Sequence, residues 1–183
     1  TESTKKAARC FYALSQNRAD SKRYPAIDTL DSYSKYLEYP EFIDYSKEKL
    51  DENWVGLVNE ARNVLVRGKE TEEQINILGD DSVPIDYHVT LWKSEFVDFV
   101  ILQQDAFDKI DATTSLERQE YMLKKVINVT RSEFKFEGFE EVAIYFKRLI
   151  NVFRQMNYTV FKSEEFHKVE DEANAVLEER IIK

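Results

Sequence analysis

The sequence has few of the residues that interrupt helices and too little cysteine for a disulfide framework. Among 183 residues there are 4 glycines, 3 prolines and 1 cysteine. The scarcity of Gly and Pro argues against disorder and against a many-turned β sandwich. A single cysteine, Cys10, cannot form an intrachain disulfide, which favours a reducing compartment. Its apolar neighbours predict a small buried side chain.

Excess positive charge and long apolar runs are also lacking. The 26 Lys and Arg are outnumbered by 35 Asp and Glu, which gives a formal net charge of −9. This excludes nucleic-acid binding through a broadly basic face and favours a basic protein as partner. No stretch approaches the roughly 18 apolar residues of a membrane helix, and no secretory signal is visible. The chain begins with Thr1, so we expect it to be a piece of a longer protein.

The patterns of common catalytic sites are missing too. The phosphate-binding pattern G-x-x-x-x-G-K-[ST] does not occur, because Gly68-Lys69 is followed by Glu70, and no G-x-S-x-G elbow is present. His88 and His167 lack metal-ligand spacing, so we assign no metal ligand. The many carboxylates on predicted helices are typical of a solvated face and do not indicate an acid–base pair. We therefore predict no catalytic residue in this chain.

Apolar residues at helical spacing dominate the sequence from Pro40 onward, and Pro40 suits a first helical turn. One other apolar run, Cys10–Leu14, has the length of a strand. A lone strand is unstable in water, and no second clear strand follows, so we expect its partners to lie outside this chain. The predicted fold class is mainly α, a helical bundle with a short N-terminal strand or extended segment. The predicted helices are one through Trp54–Leu65 that stops at Gly68, one over 70–78 closed by Gly79, one from Ile85 to about Gln104, one opened by a Thr114–Glu117 capping box, one after Gly138, and one from Ser163.

Two short stretches could contact a planar ligand. Pro25 fixes its own φ angle and favours an extended Tyr24, which places one ring in a turn. Gln103 and Gln104 end a predicted helix and Phe107 lies in the turn after it, and two amides with a ring could meet a purine by hydrogen bonds and stacking. By itself, the second stretch is better explained as a helix end with a core Phe.

Six stretches carry a resemblance to one family. They are FYAL at 11–14, KRYPAI at 22–27, SYSKY at 32–36, LGDDSVP at 78–84, LQQDAFD at 102–108, and SLERQ at 115–119 with MLK at 122–124. In the same order they resemble the FWAL, RHFPAI, SYSLY, LVG-dSLp, LQQNAFD and SLEKQ--MLK stretches of the catalytic A (alpha) subunit of V-type and archaeal-type rotary ATPases. The LQQ-AF element sets that subunit apart from the non-catalytic B subunit and from the F-type β subunit.

The resemblance implies a division of the chain and an adenine pocket. Residues 1–36 would be the tail of a nucleotide-binding domain, whose sheet the strand at 11–14 closes, and residues 37–183 a C-terminal helical bundle domain. In the intact subunit Tyr24 and Phe107 would line the adenine pocket, with Gln104 or Gln103 near its edge. Two departures concern this pocket: Tyr24 replaces the usual Phe, and Asp105 replaces Asn and adds negative charge.

The resemblance also implies the function. The intact subunit would be an enzyme, an ion-translocating rotary ATPase or ATP synthase that uses ATP or ADP with Mg²⁺. Its catalytic lysine and glutamate would lie upstream, so the fragment alone should be inactive and hold no nucleotide. The bundle would act as a lever that closes over nucleotide and pushes the central stalk, with its last helices as candidates for the contact.

The implied partners are non-catalytic B subunits in an alternating hexamer and central stalk subunits, with no nucleic acid. The membrane would be reached only indirectly, through a sector that moves protons or sodium ions. The implied location is cytoplasmic, peripheral to a membrane. Two other interpretations stay open: a stand-alone acidic helical interaction module, and a related nucleotide-binding subunit that is non-catalytic. The strand at 11–14 argues against the stand-alone module, which has no use for an unpaired strand.

Overall fold

The computed structural model describes residue 4 and residues 7–182, and these confirm the mainly α fold class. Short 3₁₀ turns at Lys35–Glu38 and Asp80–Ser82 and a π-helical segment at Asp98–Leu102 connect some of the regular elements. In chain order those elements are β1 (Cys10–Leu14), α1 (Gln16–Asp20), β2 (Ile27–Ser34), α2 (Pro40–Lys49), α3 (Trp54–Leu78), α4 (Ile85–Val97), α5 (Leu116–Arg131), α6 (Phe139–Asn157) and α7 (Glu164–Glu178).

The helical bundle is built around α4 and α6. Phe96 of α4 and Phe153 of α6 meet edge to face with ring centroids 4.9 Å apart, and both rings are buried. Helix α3 packs along α4, while α7 packs along α6. Each buried aromatic ring contributes about 2–3 kcal/mol through removal of apolar surface from water, so this row of rings is a main source of the bundle's stability.

Helix α3 continues through Gly68, so the prediction that a helix stops there and a second one covers 70–78 is wrong. Gly68 is buried inside the helix. A Cβ atom at this position would lie 2.1 Å from the Cβ atom of Ser94. The glycine therefore permits the close approach of α3 to α4, and the helix stops at Gly79, whose φ of +88° suits only glycine well.

Strand β1 has a partner inside this chain, which overturns the expectation that its partners lie elsewhere. It pairs antiparallel with β2, with Phe11 opposite Tyr33 and Leu14 opposite Ile27. The register shifts between Phe11 and Ala13. Asp28 causes part of the irregularity, since its carboxylate accepts the backbone N–H groups of Leu30 and Asp31. Those hydrogen bonds, that of Asp31 above all, lower the pKa of Asp28.

Most predicted helix starts are confirmed and one is wrong by a residue. Pro40 opens α2, Gly138 precedes α6, and the Ser163 hydroxyl caps α7. Ser115, not Thr114, caps α5 by accepting the backbone N–H of Arg118. The helix expected to reach about Gln104 ends as an α-helix at Val97 and continues as the π segment to Leu102.

Two single residues complete the comparison with the sequence. Cys10 is half-buried, not the buried side chain that was expected. His88 is buried; its Nε2 atom lies 3.1 Å from the Asp80 carbonyl oxygen, and its ring stacks on Phe139 at 4.9 Å. Across the described part of the chain, no helix has the length and apolar character needed to cross a membrane, and no three His, Cys, Asp or Glu side chains are placed to hold a metal ion.

Candidate functional site

Two of the four predicted contact residues, Tyr24 and Gln104, are bonded directly across a junction of the fold. The backbone N–H of Gln104 donates to the carbonyl oxygen of Tyr24 over 2.9 Å. Tyr24 occupies the turn between α1 and β2, and Gln104 begins the loop between the π segment and α5. Two stretches distant in sequence are therefore adjacent in space.

The four side chains differ in exposure. The Tyr24 ring is 53% exposed and the Phe107 ring 99% exposed. Gln104 is exposed, whereas Gln103 is half-buried. Gln103, like Gln104, lines a cavity of about 500 Å³, and its Oε1 atom is buried with no hydrogen-bond partner among the described residues. Three of the four side chains are thus available at the surface, and Gln103 is not.

Asp111 holds the loop that carries Gln104 and Phe107. Its carboxylate accepts the backbone N–H of Asp105 at 2.6 Å, and its carbonyl oxygen accepts the Gln104 side-chain amide at 2.7 Å. Asp111 is buried, and this burial raises the pKa of its carboxyl group. The Asp105 carboxylate accepts the backbone N–H of Phe107 at 2.9 Å. The charge that departs from the family pattern therefore takes part in the turn that presents the ring.

Two arginines of the N-terminal segment meet two carboxylates at the end of α4. Arg18 lies 2.5 Å from Asp98, and Arg23 lies 3.0 Å from Asp98 and 2.6 Å from Glu95. The Arg23 guanidinium also covers the Phe99 ring at 4.5 Å. Burial by itself would lower the pKa of Arg23, but Glu95 and Asp98 raise it. The cluster fastens the Tyr24 turn to the bundle.

The π segment gives Asp98 two separate roles. The Asp98 carboxylate binds the arginines, while its carbonyl oxygen accepts the backbone N–H of Gln103 at 2.9 Å. The Val100 carbonyl oxygen accepts the side-chain amide of Asn157, from the end of α6, at 2.9 Å. π turns occur often at functional sites, and this one directs the chain from α4 into the loop at Gln104.

Arg118, near the beginning of α5, anchors the helix that follows this loop. It is 4% exposed and donates to the carbonyl oxygens of Thr159, at 3.0 Å, and Met156. Burial lowers the pKa of Arg118, and the charge of Asp111 acts against that shift. The beginning of α5 is thereby tied to the end of α6.

The family resemblance predicts that Tyr24, Gln104 and Phe107 line one pocket, but it did not identify the charged residues beside Tyr24 and Gln104. The missed residues are Arg18, Arg23, Glu95, Asp98, Asp111 and Arg118. The only available signal was the position of Arg23 directly before Tyr24. The surface offers rings and an amide, which suit contact with a planar group by stacking and hydrogen bonds.

Comparison with known proteins gives one family. The family model described as the C-terminal domain of V and A type ATP synthase matches residues 43–137. Proteins named V-type ATP synthase alpha chain are similar to nearly the whole chain. The one from Borrelia duttonii is 37% identical over 173 residues, which is 93% of this chain and 27% of that protein. The one from Protochlamydia amoebophila is 32% identical over 180 residues, 98% of this chain and 30% of that protein.

The chain thus spans less than a third of the length of these relatives. A solved structure described as a unique ATP synthase subunit, NeqB from Nanoarcheaum equitans, aligns with a TM-score of 0.48 and 19% identity. That alignment covers 69% of this chain and 28% of the other.

Proposed function

This chain belongs to the family of C-terminal domains of V and A type ATP synthases, and on that basis we propose that it completes the adenine pocket of a catalytic alpha subunit and couples ATP turnover there to rotation. In the intact subunit the nucleotide would be ATP or ADP with Mg²⁺, held through its phosphates by an upstream domain. This chain has no phosphate-binding loop of the G-x-x-x-x-G-K-[ST] type. It would supply contacts to the base and the moving helical domain, and it would be inactive alone.

The observation that carries the proposal is the hydrogen bond between Gln104 and Tyr24. It joins the two stretches that resemble the family's adenine-contact segments, and it leaves the rings of Tyr24 and Phe107 exposed. Because the Gln104 side-chain nitrogen is committed to Asp111, its amide oxygen is the group that could accept a hydrogen bond from the base. Gln103 faces inward, and we propose that it supports the loop.

We keep the division into residues 1–36, the tail of a nucleotide-binding domain, and 37–183, the helical domain. Besides the arginine cluster, Arg62 of α3 crosses this boundary. Its guanidinium donates to three carbonyl oxygens of β2, those of Thr29, Leu30 and Ser32. The two parts are thus fastened by charged and polar contacts, which can transmit movement of one part to the other.

The last helix is the candidate for contact with the central stalk. Glu165, Asp171, Glu172 and Glu178 of α7 are exposed, and an acidic face suits a basic partner surface. Other acidic residues of this region form ion pairs within the chain, for example Glu179 with Arg148. Non-catalytic B subunits in an alternating hexamer would be the other partners. The assembly would lie on the cytoplasmic side of a membrane, attached to a sector that moves protons or sodium ions.

The test is nucleotide use by the assembled enzyme that carries this chain in its alpha subunit. Tyr24→Ala and Phe107→Ala should each raise KM for ATP several-fold and change kcat less, because both rings would contact the base and not the reacting phosphate. Tyr45→Ala is the matched control, since Tyr45 of α2 is 49% exposed and distant in sequence from both rings. Unchanged KM in both variants would rule out the adenine-pocket assignment.

The pairing of β1 removes one argument against the stand-alone interaction module. The strand is paired with β2 inside the chain, so an unpaired strand no longer argues against that interpretation. What disfavours it is the family match together with similarity that extends over 93% of the chain to alpha chains.

A further inference from the structure

The turn that carries Tyr24 is fastened to the bundle on both sides of the tyrosine. On one side the Arg23 guanidinium binds Glu95 at 2.6 and 3.1 Å and Asp98 at 3.0 Å. On the other side the Tyr24 carbonyl oxygen accepts the Gln104 N–H at 2.9 Å. Asp98 begins the π segment that ends just before Gln103. Both attachments therefore belong to one continuous stretch, the end of α4, the π segment after it and the two residues that follow.

We propose that Arg23 is a positioning residue for the base contact: its ion pairs with Glu95 and Asp98 make the position of the Tyr24 ring follow the position of α4. This inference rests on the proposed adenine-pocket function and adds a named link to it. The Arg23 guanidinium is engaged by Glu95, Asp98 and Phe99, so it would contact neither the base nor the phosphates. It acts through Tyr24, the next residue in the chain.

The environment of Asp98 makes these ion pairs hard to break. Asp98 is 5% exposed, and a buried carboxylate that loses its cationic partner is strongly unfavourable. Arg18 binds the same carboxylate. The Arg18 carbonyl oxygen also accepts the backbone N–H of Arg23 at 2.8 Å. The Phe99 ring beneath the guanidinium restricts it further. A shift of α4 would therefore carry the Arg23 side chain with it.

The Tyr24 ring depends on this attachment because its own packing is slight. Half of the residue is exposed, so its backbone determines where the ring points. Without Arg23 the ring should sample more orientations, and ordering it on the base would then cost affinity. Chemistry at the phosphates should change little. The expected signature is a change in KM for ATP, with kcat nearly constant.

The experiment is steady-state ATP hydrolysis by the assembled enzyme with Arg23→Gln in the alpha subunit. We expect KM for ATP to rise about fivefold, the effect of losing one well-placed aromatic contact, with kcat within about twofold of the unmodified enzyme. Arg131→Gln is the matched control. Arg131 makes a comparable two-point ion pair with Glu60, at 2.7 and 2.6 Å, between α5 and α3. The Arg131→Gln variant should leave KM for ATP unchanged.

A charge exchange separates positioning from general damage. Arg23→Glu alone should raise KM at least as much as Arg23→Gln, and the double variant Arg23→Glu/Glu95→Arg should lower it again by restoring the pair. A double variant no better than Arg23→Glu would overturn the proposal. If Arg23→Gln does not assemble, Glu95→Gln replaces it, and unchanged KM there would also overturn it.

The outcomes distinguish this inference from the function on which it rests. If Tyr24→Ala raises KM and Arg23→Gln behaves like the Arg131→Gln control, the base contact stands and the positioning role of Arg23 is wrong. If Tyr24→Ala leaves KM unchanged, the adenine-pocket function and the positioning role both fail.

Discussion

The carbonyl oxygen of Tyr24 accepts the backbone N–H of Gln104 at 2.9 Å. This one bond joins a turn near the beginning of the chain to the end of the π segment that follows α4. It forms between backbone groups, so most substitutions at either position would leave it in place. The side chains can therefore vary while the two segments stay together. Tyr24, which stands where the family usually has Phe, is an example.

The first prediction concerns the chain alone. We expect it to bind ATP only weakly, with Kd above about 1 mM. Tyr24 and Phe107 could contact only the base, and the chain has no glycine-rich loop to hold the phosphates. Calorimetric titration with ATP measures this directly. A Kd near 10 µM, roughly 3 kcal/mol tighter, would mean that a phosphate site exists within these residues.

The second prediction concerns the contact of α3 with α4. Gly68→Ala should lower the free energy of unfolding of the chain by about 1–3 kcal/mol, because the added methyl group would overlap Ser94. Alanine's better helix propensity, about 1 kcal/mol, offsets only part of this. Gly56→Ala in the same helix is the control, because there the methyl group meets only the movable Asn53 side chain. Equal urea midpoints for the two variants would contradict the prediction.

The third prediction concerns the buried Arg118. Arg118→Lys should lower the free energy of unfolding by about 2–4 kcal/mol, since one ammonium cannot satisfy both carbonyl oxygens that the guanidinium binds. Arg148→Lys is the comparison, because Arg148 is exposed and pairs with Glu179. Its effect should be much smaller, because an exposed ion pair contributes little to stability. A similar loss in both variants, measured by urea unfolding, would show that burial of Arg118 adds nothing.

The fourth prediction is a dependence on alkaline pH. Burial and the hydrogen bond to Glu170 raise the pKa of Tyr121 to about 12, from 10.0. Stability from this protonated hydroxyl is complete below pH 10 and is lost as pH rises toward 12. The advantage of the unmodified chain over Tyr121→Phe should therefore shrink by about 1–2 kcal/mol between pH 9.5 and 12.

Urea unfolding at several pH values measures that difference. The same comparison in a Glu170→Gln background should show a smaller change, since the carboxylate that accepts the hydrogen bond is gone. A difference between the chain and Tyr121→Phe that stays constant from pH 9.5 to 12 would contradict the shifted pKa.

Features that depend on local sequence were predicted well. Helices α4, α6 and α7 follow from apolar spacing, and the residues at Pro40, Gly138 and Ser163 mark helix starts that depend on only a few neighbouring positions. The errors at Gly68 and β2 have tertiary causes. Gly68 is a weak helix former whose presence is explained by Ser94 on another helix. Strand β2 was missed because Asp28 and Asp31 interrupt its alternation of polar and apolar residues.

The candidate site was likewise predicted only in part. The rings at Tyr24 and Phe107 could be proposed only through the family resemblance, since neither stretch is distinctive by itself. The ion pair of Arg23 with Asp98 joins residues 75 positions apart. A sequence pattern cannot reveal such a pair, because charged residues on predicted helices usually face water and Asp98 does not.

The pairing of Arg18 with Asp98, 80 positions apart, also sets an order of events during synthesis. A two-stranded sheet is marginal by itself, and at about 5–20 residues per second a ribosome needs roughly 4–16 s to make the residues between the two partners. We therefore expect β1 and β2 to gain lasting order only after α4 has emerged. The Ala13 N–H donates to the Ser32 hydroxyl of β2 at 3.0 Å, and pulse-labelled hydrogen exchange on ribosome-bound chains should show its protection appearing late.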